Sequence, residues 1–278
     1  MMRTNTVSAL IIGLTFSALY GAVAQCLPKQ DWQLPQGVAV KDTAARLYRF
    51  TVDYNTANAQ GAIVHRQRLT ADYQRGLAGG EVRWTNVVSA DADGLSAAYV
   101  AGPKRDFMEG FHYKNDLAAT MQPDFFKGFP PAAVFERNLV WDTGMIEHFG
   151  QDFFEHLKLN EPYHTQSAQE DVNMPGVGVF HNRDVVLEWV GYSKRNSEDC
   201  AVITYQAFLN PLEIVNAGMT MKARSDYWGQ IWVALRTKQI EFATINENVS
   251  GELTLTGQDK PTPVSVFRSG RLEPVALK

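Results

Sequence analysis

The sequence predicts a mainly β protein of the α+β class, a large antiparallel curved sheet or sandwich of about a dozen strands with a helical, aromatic-rich insertion. Three observations carry this. Apolar and polar residues alternate with period two on both sides of the chain's middle, short polar turns separate the alternating segments, and the middle itself breaks the pattern. That middle, Asp106 to His164, holds nine of the 15 phenylalanines and four of the six histidines. Closely spaced strands with short connections pair antiparallel, because parallel neighbours need a long crossover.

Residues 1–24 read as an export signal. Arg3 gives a positive start, Ala9 to Tyr20 is an apolar run, and Ala22-Val23-Ala24 has the small-x-small form of a cleavage site. The run is shorter than the roughly 20 residues a spanning helix needs, and no later apolar run is long enough to span a bilayer. Gln25 before Cys26 is neither small nor apolar, which argues against a lipid-modified cysteine. The expectation is a secreted or periplasmic single domain over residues 25–278, with strands over 45–101, the insertion over 106–164 and strands again over 178–268.

The whole chain has a formal net charge of −4, and removing the leader takes out Arg3 and no acid. A mildly negative surface excludes nucleic acid and anionic membrane as main partners, since both reward a basic face. Cys26 and Cys200 are the two cysteines. In an oxidising compartment an even count points to a disulfide, here fastening the mature N-terminus to a distant strand.

Gln25 to Thr43, with Pro28 and Pro35, reads as an extended lead-in. The first strand starts at Leu47, with Tyr48, Phe50, Val52 and Tyr54 on one face and Arg49, Thr51 and Asp53 on the other. Ala62–Tyr73 and the segment from Val82 continue it as a meander across the turn at 75–80, and Leu95–Ala101 is a fourth candidate. Pro130-Pro131 opens a short helix, because proline is tolerated in a first turn. Asp142-Thr143-Gly144 caps a second helix over Met145–Leu159. Strands resume near Gly178, with candidates 185–192, 200–208, 219–224, 231–235, 240–245, 252–256 and 264–267.

The second helix carries the most specific chemical pattern. At 100° per residue His148, Asp152 and His156 fall at about 0°, 40° and 80°, beside an apolar stripe of Ile146, Phe149, Phe153 and Leu157. That line would suit a divalent metal. Ordinary His–Asp pairing on a solvated face explains it more simply, since no His-Glu-x-x-His motif is present. Asp142, Asp152, Asp184 and Glu188 are the carboxylates that an acid/base hydrolase would draw on. No catalytic residue can be assigned among them. Asp91-Ala92-Asp93-Gly94 fails as a calcium loop, because its twelfth position is Val100 and not a bidentate glutamate.

The concentration of phenylalanine points to a binding wall. Phe107, Phe111, Phe126, Phe129, Trp141, Phe149 and Phe153 are the expected ligand-binding residues, lining an apolar cavity between sheet and insertion. The leading expectation is an exported, non-enzymatic binding or carrier protein for a hydrophobic small molecule or lipid. It needs no cofactor; a divalent metal on the histidine line belongs to the alternative, a metal- or carboxylate-dependent hydrolase. A second alternative is a structural or interaction module of the cell envelope.

Overall fold

A computed structural model describes residues 45–276 apart from 123, 175–176 and 217. The expected signal peptide, the lead-in and Cys26 lie outside the described residues. The described part falls within one compact unit, Gln33–Lys278.

The sheet begins with β1 (Arg46–Ala57), β2 (Ile63–Arg75), β3 (Glu81–Asp93) and β4 (Val100–Lys104). The middle contributes β5 (His112–Lys114), helices α1 (Leu117–Thr120) and α2 (Val134–Glu147), β6 (Tyr163–His164), and the hairpin β7 (Asp171–Met174) and β8 (Gly178–His181). Five longer strands close the chain: β9 (Val186–Arg195), β10 (Glu198–Asn216), β11 (Met219–Ala234), β12 (Ile240–Leu255) and β13 (Thr262–Val275). All pair antiparallel in one curved 13-stranded sheet with the order β4-β3-β2-β1-β13-β12-β11-β10-β8-β7. Strand β9 also pairs with β10, along Glu198–Gln206, where β8 does not reach. The order ends on two different edges, so the sheet does not close into a barrel.

The first and last strands meet in the centre, with Phe50 opposite Leu272 and Val52 opposite Gly270. The alternation read from the sequence sets the faces: Tyr48, Phe50, Val52 and Tyr54 are all buried, while Arg49 between them is exposed. The buried face continues through Leu69, Tyr73, Trp84, Tyr205, Ile231, Val233 and Ile245. At about 1.5–3 kcal/mol for each large apolar side chain taken from water, this face supplies much of the drive for folding. Gly229 is required in it. A Cβ there would lie 2.1 Å from the Thr244 carbonyl oxygen and 2.5 Å from the Tyr205 hydroxyl, which donates to that same oxygen.

Helix α2 lies on this face and is buried on several sides, including Glu136, Leu139, Val140, Trp141, Asp142, Ile146 and Glu147. Buried charge needs partners, and each acid has one. Arg105 holds Glu136 at 2.7 Å, Arg268 of β13 holds Asp142 at 3.0 Å, and the Tyr73 hydroxyl donates to Glu147 at 3.0 Å. The helix is thereby tied to both halves of the sheet.

Three expectations are corrected. Asp142 does not cap a helix: α2 runs through it, and its carboxylate is taken by Arg268. The helix over Met145–Leu159 stops at Glu147, giving way to a wide π-type turn, His148–Asp152, and a 3-10 turn, Phe154–His156. The cause is tertiary. Gly150 is pressed so closely on β11 that a Cβ would meet Ile231 Cγ2 at 3.1 Å, an approach a regular helix bearing a side chain there would not allow. Finally, the Cys26–Cys200 disulfide is not formed. Cys200 is a free, fully buried thiol whose sulfur contacts the Glu198 carbonyl at 3.6 Å, and burial raises its pKa to about 12. Among the described residues no helix is long and apolar enough to cross a membrane.

Candidate functional site

Between the helical insertion and the inner face of the sheet lies a cleft of about 1280 Å³. This exceeds the roughly 300–1,000 Å³ of ordinary small-molecule sites. The insertion supplies Leu117, Met121, Val134, Phe135, Trp141, Met145 and Phe149. The facing strands supply Met174, Phe180, Ile214, Met219, Met221, Tyr227, Ile245 and Val266. A sheet curved around a docked helix forms such a space because side chains on the concave face converge without meeting across it.

The lining is rich in methionine. Met121, Met145, Met174, Met219 and Met221, five of the eight in the sequence, border the cleft, arriving from four separate segments. Methionine is unbranched and polarizable, so it reshapes around irregular apolar surfaces at little cost.

The deep polar part of the lining is a three-charge cluster. Arg268 reaches Asp142 at 3.0 Å and Glu247 at 2.9 Å, and the Ser225 hydroxyl donates to Glu247 at 2.5 Å. One guanidinium serves two carboxylates. Burial raises Asp142 to about 7, with Arg268 opposing the shift and Glu247 adding to it. Burial also pulls Arg268 down, but the two carboxylates outweigh it and hold the guanidinium above its ordinary value. Tyr54, raised by burial, completes the cluster with its hydroxyl 3.5 Å from the Asn138 amide.

Toward solvent the cleft is bordered by Lys114, Asp116, Asp152 and Glu170, all exposed, and by the half-buried His148. His148 Nδ1 pairs with Asp152 at 2.6 Å, and its ring meets Phe153 edge-on at 4.8 Å. His156, which a continuous helix would place beside them, instead stacks on Tyr163 at 5.7 Å with the rings 7° apart. The turn at His148–Asp152 breaks the projected line. Among the described residues no group of three or more His, Cys, Asp or Glu side chains is arranged to hold a metal ion.

Of the seven expected ligand-binding aromatics, Trp141 and Phe149 border the cleft. Phe107, Phe111, Phe126 and Phe129 pack on one another, with Phe107–Phe129 at 5.0 Å, Phe111–Phe129 at 4.9 Å and Phe126–Phe129 at 5.1 Å. Phe126 then abuts Trp141 edge-to-face at 5.3 Å. Phe153 packs against Tyr163 and His148. Of the four carboxylates considered for acid/base chemistry, Asp142 and Asp152 reach the cleft, whereas Asp184 is paired with His164 at 2.7 Å and Glu188 lies on β9. Sequence reasoning missed the methionines, Arg268 and Glu247. The methionine count was the available signal, but only the fold shows that residues nearly a hundred positions apart share one surface.

No protein-family model and no curated protein matches this chain. Among solved structures, a DUF1329 family protein from Desulfovibrio piger ATCC 29098 matches over 85% of this chain and 89% of that chain, with 5% sequence identity and a TM-score of 0.17. A likeness at that score gives no guide to what this chain does.

Proposed function

We propose that this protein is an exported carrier or binding protein, secreted or periplasmic, which holds a hydrophobic, lipid-like ligand between its sheet and its helical insertion. The observation that supports it is the roughly 1280 Å³ cleft bordered by five methionines. A large apolar concavity with an adaptable lining suits a flexible hydrocarbon better than a rigid polar substrate. Among the described residues its lining contains no serine, threonine or cysteine, so no side chain of those three types accompanies the His148–Asp152 pair. Asp142 and Glu247 share one arginine and tie α2 to the sheet, which gives both a role without chemistry. The apolar leader, Ala9 to Tyr20, supports export.

The test is displacement of a fluorescent apolar probe, 1-N-phenylnaphthylamine, from delipidated mature protein. Wild type should take up the probe and release it to long-chain lipids. Ala118→Trp and Ile214→Trp, each placing an indole in the cleft, should lose most probe binding while melting cooperatively. Equal uptake by wild type and both variants would sink the reading.

A further inference from the structure

The charges around the cleft restrict the polar end of what it holds. At the mouth Asp116, Asp152 and Glu170 face solvent with Lys114 as their basic neighbour. The other basic group of the lining, Arg268, sits deep and is already held by Asp142 and Glu247, its side chain 10% exposed. An anionic head would therefore meet excess negative charge at the mouth and an occupied guanidinium at depth. Of the two helix N-termini that border the cleft, that of α1 is already capped by the Asp116 carboxylate and that of α2 carries Glu136 in its first turn, and the lining presents no unpartnered arginine.

A cation meets the opposite situation. Asp152 and Glu170 are exposed and oriented by little: Asp152 is engaged by His148, and no salt bridge holds Glu170 among the described ion pairs. Aromatic side chains lie in the same lining, including Phe135, Trp141 and Phe149, and aromatic rings attract an alkylammonium as well as an alkyl chain. We propose that the ligand is an amphiphile with an alkyl body and a positively charged, amine or quaternary ammonium, polar end, selected against a carboxylate of equal chain length. This rests on the carrier reading and specifies its ligand class.

Three probes with one chain separate the two claims: dodecyltrimethylammonium, 1-monododecanoylglycerol and dodecanoate, each below its micellar range, titrated against the delipidated mature protein carrying bound phenylnaphthylamine. The expected order is ammonium, then glyceride, then carboxylate. Ammonium and carboxylate should differ about tenfold at low salt, with the gap shrinking as salt screens the exposed mouth. Asp152→Lys/Glu170→Lys, a change at two exposed positions, should narrow or invert the order of ammonium and carboxylate. Dodecanoate binding as tightly as the ammonium, or an order unmoved by the double variant, would overturn the charge selection while leaving a hydrophobic carrier intact. Failure of all three to displace the probe would overturn both.

Discussion

Two apolar regions of the insertion, a few residues apart in sequence, do opposite things. The phenylalanines around Phe126 fill their own space: rings meet edge-to-face at 4.9–5.3 Å, and Arg137 lies over Phe126 at 5.6 Å. The cleft beside them is lined by methionines and aliphatics that do not fill it. Trp141 belongs to both, meeting Phe126 edge-to-face and bordering the cleft. Aromatic side chains are rigid, and their quadrupoles favour each other's edges, so a dense run of them tends to satisfy itself. A surface that must stay open and accept varied shapes is better made from flexible side chains brought from distant segments.

The largest effect should come at the charged cluster under the cleft. Arg268→Met leaves Asp142 and Glu247 buried without their cation, and urea denaturation should show a loss of about 3–5 kcal/mol. A loss below 1 kcal/mol would mean the cluster does not tie α2 to the sheet.

The self-packed cluster offers the next contrast. Phe126→Ala should cost about 3–5 kcal/mol and leave probe binding by the cleft nearly unchanged. Met145→Ala, on the cleft wall, removes contacts beside existing open space. It should cost less than the lower bound of about 2 kcal/mol seen for fully packed methionines, while altering probe affinity. If the two exchanged behaviour, the assignment of packing to one region and binding to the other would be reversed.

A smaller effect concerns pH. The carboxyl of Asp142 is raised from 3.8 to about 7, so between those values the folded state holds a proton that the unfolded chain releases. The contribution to stability is fully present below pH 4 and is lost as pH rises through 7. Asp142→Asn should therefore flatten the fall in stability between pH 4 and 7, read from urea midpoints across pH. A wild-type profile parallel to that of the variant would rule out the shift. The smallest effect is expected from reductant: with Cys200 a free buried thiol, dithiothreitol should leave the melting temperature unchanged.

Much of the sheet was legible because period-two alternation is a local signal. Tyr48 to Tyr54 shows its faces within seven residues. The ends of the long strands were less so. β10 read only as 200–208 and β11 as two pieces, 219–224 and 231–235, because a bulge between Ala207 and Asn210, Pro211, and Gly229 interrupt the pattern without ending the strands. The end of α2 was not legible at all, since it depends on Gly150 meeting Ile231 across the fold. Phenylalanine clustering marked a block that borders the cleft, but most of those rings pack on each other. The lining instead depends on register: Met221 faces inward on β11, opposite Ile214 of β10, far from the insertion in sequence.

The central claim is that the cleft holds a hydrophobic ligand, and native mass spectrometry of detergent-free protein from its own host tests it most directly. The account expects wild type to carry a releasable apolar adduct that Ile214→Trp lacks. Wild type that flies empty, and that gains no thermal stability from any member of a lipid panel, would contradict it.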